Sequence, residues 1–202
     1  MATPSLSTAQ QARLTSGKNF WQTKSEGGVP SIAMTDGPNG LRKQEGSADA
    51  LGLSQSVPAT CFPPAVGLSQ TWNPELAARI GEAIGTEALA RQVSVVLGPG
   101  VNLKRSPLGG RNFEYYSEDP VLSGAFGEAW VRGIQSVDVG ASLKHFAANN
   151  QETDRMRVSA AIDERTLHEL SPRVRPHRTY GASMDSDVLV QPHQRRPRER
   201  ES

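Results

Sequence analysis

The chain has 202 residues with 22 Lys and Arg against 21 Asp and Glu, a formal net charge of +1. That length allows one domain with a core, or part of a larger one, and the charge balance gives no reason to invoke nucleic acid or a membrane surface. Cys61 is the only cysteine, so an intrachain disulfide and a Cys-rich metal site are excluded.

In chain order, the N-terminal stretch "MATPSLSTAQQARLTSGKNF" lacks the apolar core of a signal peptide, and no segment has the length to span a bilayer. A cytoplasmic location is the expectation. "SIAMTDGP" reads as a short strand stopped by Asp-Gly-Pro. "NPELAARIGEAIGTEALARQ" reads as a helix with Asn73 at its N-cap and Pro74 at its first position. Its apolar residues are Leu76, Ile80, Ala83, Ile84 and Leu89. "VSVVLGPG" follows as a buried strand. "DPVLSGAFGEAWVRGIQS" repeats the acidic cap and Pro start, with Leu122, Phe126, Trp130 and Ile134 on one face. "ASLKHF" is the next strand, and Asp163 caps "ERTLHEL".

This β-α-β-α order predicts an α/β fold with a parallel sheet or a (β/α) barrel. The polar groups fall in matching places: Asp36 after the first strand, Asn102 to Arg105 after the second, Lys144 and His145 at the third. In a barrel such positions converge on one mouth, because the loops after the strands line it. "KHFAANNQETDR", residues 144–155, is therefore expected to be a pocket wall; the competing expectation is a solvated helix starting at Phe146. Trp72 and Trp130 are expected in the core, and Cys61 as a small buried or loop side chain.

"LTSGKNFW", "SIAMTDGPNGLRK", "LGPGVNLKRSPLGGRNFEYYSEDP" and "KHFAANNQETDR" followed by "DERTLHEL" together resemble the N-terminal barrel domain of glycoside hydrolase family 3, in its bacterial β-glucosidase branch. Order and spacing match over most of residues 14–170. The "KHF" is not followed by the "PGHG" of the N-acetylglucosaminidase branch, which favours β-glucosidase-like or β-xylosidase-like specificity. The resemblance implies a partial TIM-type (β/α) barrel at residues 1–170, the N-terminal portion of a family 3 catalytic domain. It further implies a retaining enzyme that removes terminal β-D-glucosyl residues, with a β-glucoside or β-linked oligosaccharide as substrate and no cofactor. No nucleic-acid or membrane partner is expected, and oligomeric state is left open.

A sugar ring offers hydroxyls, so its pocket needs carboxylates as acceptors and Lys, Arg and His as donors. The resemblance places Asp36 and Arg42 on hydroxyls far from the scissile bond, and Arg111, Lys144 and His145 on hydroxyls around the same ring. The same residues have structural uses. Asp36 can cap a turn, Arg42 can be a surface charge, and Arg111 can pair with Glu114 or Glu118. Lys144 and His145 can be a buried pair. Asn149, Asn150 and Arg155 are expected to shape the loop. His145, His168, His177 and His193 show no metal spacing.

Retaining hydrolysis needs a nucleophilic and an acid/base carboxyl about 5–5.5 Å apart. In the family the nucleophile lies in a later "SDW"-like motif and the acid/base Glu in a second domain; neither motif occurs here, and Asp185 and Asp187 lack matching surroundings. No catalytic residue is assigned. Residues 171–202 depart from the family: seven Arg, no Lys and four acids give +3, against −2 for residues 1–170. Back-translated with permissive codons and read one base later, this basic tail can yield the family's "CSYN" and "NG" elements, so it is expected to be a frameshift product. The chain is then an incomplete fragment, the alternatives being a non-catalytic sugar-binding fragment or an inactive pseudogene product. With fewer residues than the about 250 of a closed barrel, the strand at "ASLKHF" is expected to lack its parallel neighbour. The tail is not expected to cover that edge, and the chain is expected to fold poorly alone.

Overall fold

The computed structural model describes residues 5–44, 55–146, 148–170 and 188–190. A short helix α1, Thr8–Leu14, opens the chain, held by a capping box between Ser7 and Gln10. Strand β1, Met34–Asp36, leads through the five-residue helix α2, Ala65–Ser69, into α3, Pro74–Ala90. Strand β2, Val95–Gly100, is followed by a single 3-10 turn at Asn112–Glu114 and by α4, Pro120–Gln135. Strand β3, Gly140–Lys144, helix α5, Glu164–Leu170, and strand β4, Val188–Val190, complete the order.

The expected caps form. Asn73 accepts from the Leu76 amide with Pro74 at the first helical position, and Asp119 accepts from the Val121 and Leu122 amides ahead of Pro120. Each cap satisfies a helix-end donor that would otherwise lack a partner, a contribution of about 1 kcal/mol. Asp163 does the same for α5 through the Thr166 amide.

The sheet runs β1-β2-β3-β4, with β1, β2 and β3 parallel. Met34 faces Val95 in register, and Val95 faces Gly140; the β2–β3 ladder slips by one residue between Leu97 and Gly98. Helices α3 and α4 pack on each other, and both touch the sheet. Ile80, Ile84, Phe126, Trp130 and Ile134 from the helices close on Val96, Ala141 and Leu143 from the strands. Strand β3 is buried along its whole length, as parallel strands covered on both faces are.

The α3–α4 contact is close enough to require glycine. A Cβ at Gly133 would lie 1.9 Å from the Ala78 carbonyl oxygen, and one at Gly81 would lie 2.4 Å from that of Trp130.

Three expectations need correction. Trp72 is 74% exposed with φ 54°, so it is a turn residue between α2 and α3, not core. Leu89 is 50% exposed, and Ala88 takes the buried position at the end of α3. The free edge of β3 is also not bare: β4 pairs with it through Ala141–Val190, Ser142–Leu189 and Leu143–Val188. That neighbour is antiparallel, not the parallel one whose absence was expected, and it comes from the tail that was not expected to cover the edge. Asp185, Asp187 and the remainder of residues 171–202 lie outside the described residues. No described helix is long and apolar enough to cross a membrane.

Candidate active site

The parallel arrangement of β1 and β3 brings their C-terminal ends to one side of the sheet, with β2 between them. Asp36 ends β1 and Lys144 ends β3. Lys144 Nζ donates to Asp36 Oδ1 at 2.8 Å, joining two residues 108 positions apart. The Lys144 side chain is 8% exposed and that of Asp36 34%. A buried ammonium costs several kcal/mol unless it is paired, so Asp36 is what makes Lys144 tolerable there. The pair keeps one carboxylate oxygen and two ammonium protons for other partners.

Arg42 reaches the same strand end through the backbone: its amide donates to the Asp36 carbonyl at 2.9 Å, and the Thr35 hydroxyl donates to the Arg42 carbonyl at 2.5 Å. The residue itself is exposed. Arg111 realises the pairing weighed above. Its Nε donates to Glu114, and Glu152 stands 3.9 Å away. Glu114 is buried, and Arg111 is half-buried.

His145 follows Lys144 at the mouth of the sheet. Its Nδ1 lies 3.0 Å from the Tyr115 hydroxyl, with the two rings edge to face. Burial, then the positive charges of Arg111, Lys144 and Arg155, push its pKa down to about 3, against a smaller upward pull from Asp36. His145 is therefore a neutral imidazole near pH 7. Beyond it the described residues up to α5 form turns and irregular backbone, so the competing helix from Phe146 does not form. Asn149 and Arg155 shape this loop as expected: Asn149 Nδ2 lies 3.3 Å from Glu152 Oε1, and Arg155 pairs with Glu152 at 3.3 Å. Asn150 is tied locally, its amide donating to the Ala148 carbonyl.

Tyr115 went unmarked in the sequence, whereas Asn102 and Lys104 belong to the polar run noted after the second strand. Tyr115 is buried against His145, and burial followed by the nearby Glu114 carboxylate raises its pKa. Lys104 Nζ donates to the Tyr116 carbonyl at 3.0 Å, and the Ser69 hydroxyl donates to the same oxygen at 2.6 Å. Together they pin the segment that carries Arg111, Glu114 and Tyr115. Asn102, just past β2, is buried with its Nδ2 donor unmatched among the described residues. A carboxylate one turn from Arg111 was the available signal for Glu114; nothing local announced Tyr115, whose partner is 30 residues away.

The arrangement presents acceptors and donors at the C-terminal ends of β1 and β3, which suits a polyhydroxylated ligand. Among the described residues no group of three or more His, Cys, Asp or Glu is placed to hold a metal. The family model of the glycosyl hydrolase family 3 N-terminal domain matches residues 5–174. The chain belongs to this family. It is 56% identical over 163 residues to thermostable β-glucosidase B of Acetivibrio thermocellus, covering 80% of this chain and 22% of that protein. It is equally 56% identical over 168 residues to an exo-α-(1→6)-L-arabinopyranosidase of Bifidobacterium longum, covering 82% and 22%. The crystal structure of a Bifidobacterium adolescentis family 3 β-glucosidase superposes with a TM-score of 0.74 at 54% identity, over 82% of this chain and 23% of that one. The chain spans under a quarter of the length of these relatives.

Proposed function

We propose that residues 1–170 form the first part of a (β/α) barrel that holds one side of the glycone pocket of a retaining β-glucoside hydrolase. Three consecutive parallel strands are compatible with the barrel reading, and the match to the family's N-terminal domain is what favours it. The pocket reading rests on one observation above all: the Asp36–Lys144 pair at 2.8 Å, with Lys144 buried at the end of β3. A charge pair in that position costs more to bury than an apolar pair of the same size, and its spare hydrogen-bonding capacity faces the strand ends. Asp36 and Lys144 hold sugar hydroxyls, with His145, Arg111 and Arg42 adding donors around the same ring. Residues 171–202 are the non-family tail, of which Val188–Val190 nonetheless pair with β3.

The equal identity to a β-glucosidase and to an arabinopyranosidase keeps a second glycone in view. Calorimetric titration of the chain with glucose and with L-arabinose tests both readings. Saturable heat that is lost in Asp36→Ala is the expected result for the preferred sugar; no heat with either sugar refutes the pocket. Without an assigned nucleophile and acid/base pair, the chain is expected to bind a chromogenic β-glucoside without cleaving it.

A further inference from the structure

We propose that Tyr115 is a positioning residue that fixes His145 as the tautomer carrying its proton on Nε2, through a hydrogen-bond relay whose direction is set by Glu152 and Asn149. The relay begins at Glu152, whose carboxylate serves as the acceptor. Asn149 therefore turns its amide nitrogen, not its oxygen, toward Glu152 Oε1, at 3.3 Å. The same Nδ2 lies 3.5 Å from the Tyr115 hydroxyl. With a donor already aimed at its oxygen, the phenol directs its own hydrogen to the remaining neighbour, His145 Nδ1, at 3.0 Å. An Nδ1 that accepts leaves the single proton of a neutral imidazole on Nε2.

Two further features support this assignment. The ring stays neutral over the physiological range, because burial and the cations Arg111, Lys144 and Arg155 outweigh Asp36. Tyr115 stays a phenol, since burial and then Glu114 oppose its ionisation. The Tyr115 backbone is also fixed from outside the site. Lys104 and Ser69 hold the Tyr116 carbonyl, the Lys104 amide donates to the Ser117 carbonyl, and a Cβ at Gly100 would already crowd the Tyr115 ring at 3.2 Å. The relay thus makes His145 a donor of defined direction. The consequence for sugar binding rests on His145 being a glycone contact; the tautomer itself does not.

The test is a long-range proton–nitrogen correlation spectrum of the ¹⁵N-labelled 202-residue chain, with the His145 signals assigned by their loss in His145→Gln. The expected result is an unprotonated Nδ1 and a protonated Nε2, unchanged from about pH 5 to pH 8. Tyr115→Phe should convert this to an averaged mixture of tautomers and weaken glucose binding roughly tenfold, the loss of one net hydrogen bond. If Tyr115→Phe does not fold, Asn149→Asp serves instead, because a carboxylate there draws the phenol hydrogen away from Nδ1. A protonated Nδ1 in the unaltered chain, or an unchanged tautomer in a folded variant, overturns the proposal. Glucose adds a separate arm. An Nε2 signal that ignores glucose while the tautomer is as expected refutes the glycone contact and leaves the positioning role standing.

Discussion

Lys144 is the residue through which charge, burial and ligand binding are joined. Asp36→Ala would leave its ammonium buried at the end of β3 without a counter-charge, at a cost of about 1–3 kcal/mol, discounted because Asp36 is one-third exposed. Lys144→Met fills similar volume without the charge and should recover most of that stability in combination with Asp36→Ala. Neither variant should bind glucose. Urea denaturation read beside calorimetry separates the two effects; a single Asp36→Ala variant with unchanged stability would show that the pair is not what holds Lys144. His145 makes a different prediction. Its folded pKa, about 3, lies below the usual 6.5, so between these values the unfolded chain binds more protons than the folded one. Its contribution to stability is therefore complete above about pH 6.5 and is lost as pH falls toward 3. His145→Gln should flatten the fall in urea midpoint between pH 7 and pH 4, and an unaltered slope would show that other groups govern it. The site was legible in the sequence to the extent that its members stand directly at strand ends. Asp36, Lys144 and His145 could be placed by the rule that such ends converge. Glu114 could be named only as a possible partner of Arg111, and Tyr115 not at all, because its role comes from a contact with His145, 30 residues away, that no local periodicity announces.

At the scale of elements, sequence pattern and structure agree where a helix or strand carries its own signal. The caps at Asn73, Asp119 and Asp163 and the apolar stripe of α4 were readable because capping chemistry and the 3.6-residue period are local. Trp72 defeated the same reasoning: aromatic character argues for the core, but the turn between α2 and α3 puts this residue at positive φ and turns the indole outward. Leu89 failed for a similar reason, lying where α3 ends and its buried face runs out. The α3–α4 contact was invisible in advance, since a glycine in a helix normally signals weakness. Here it permits close approach. Gly133→Ala would bring a methyl group to 1.9 Å from the Ala78 carbonyl oxygen, a backbone atom in a helix that cannot rotate away. The helices must separate, at about 1–3 kcal/mol. Gly67→Ala in α2 is the matched control: its nearest contact is 4.0 Å away, and the better helix propensity should leave stability equal or up to about 1 kcal/mol higher. Equal thermal midpoints for the two variants would mean that α3 and α4 do not pack as closely as described.

For the whole molecule, the open question is how three parallel strands end. Strand β1 meets the chain again through isolated bridges, Gln22 with Ala33 and Asp36 with Arg42. Strand β3 is buried along its length and carries the residue on which the site depends, so its outer edge has the most to lose from exposure. An unpaired edge of apolar composition is a template for another chain. Val188–Val190 occupies that edge, antiparallel and only three residues long. So short a strand adds few hydrogen bonds, yet it denies the edge to a second molecule. The two effects can be separated. A chain ending after Leu170 keeps α1 to α5, β1 to β3 and every proposed sugar contact, and loses only β4 among the described elements. It should therefore retain far-ultraviolet circular dichroism per residue close to that of the full chain, but associate in a concentration-dependent way in sedimentation. Leu189→Pro removes a backbone donor inside β4 without shortening the chain and should move association in the same direction. If the shortened chain and Leu189→Pro both sediment as the full chain does, β4 does not guard the edge of β3. If both instead lose their circular dichroism, β4 is needed for the sheet itself, and the tail is part of the fold rather than a cover for it.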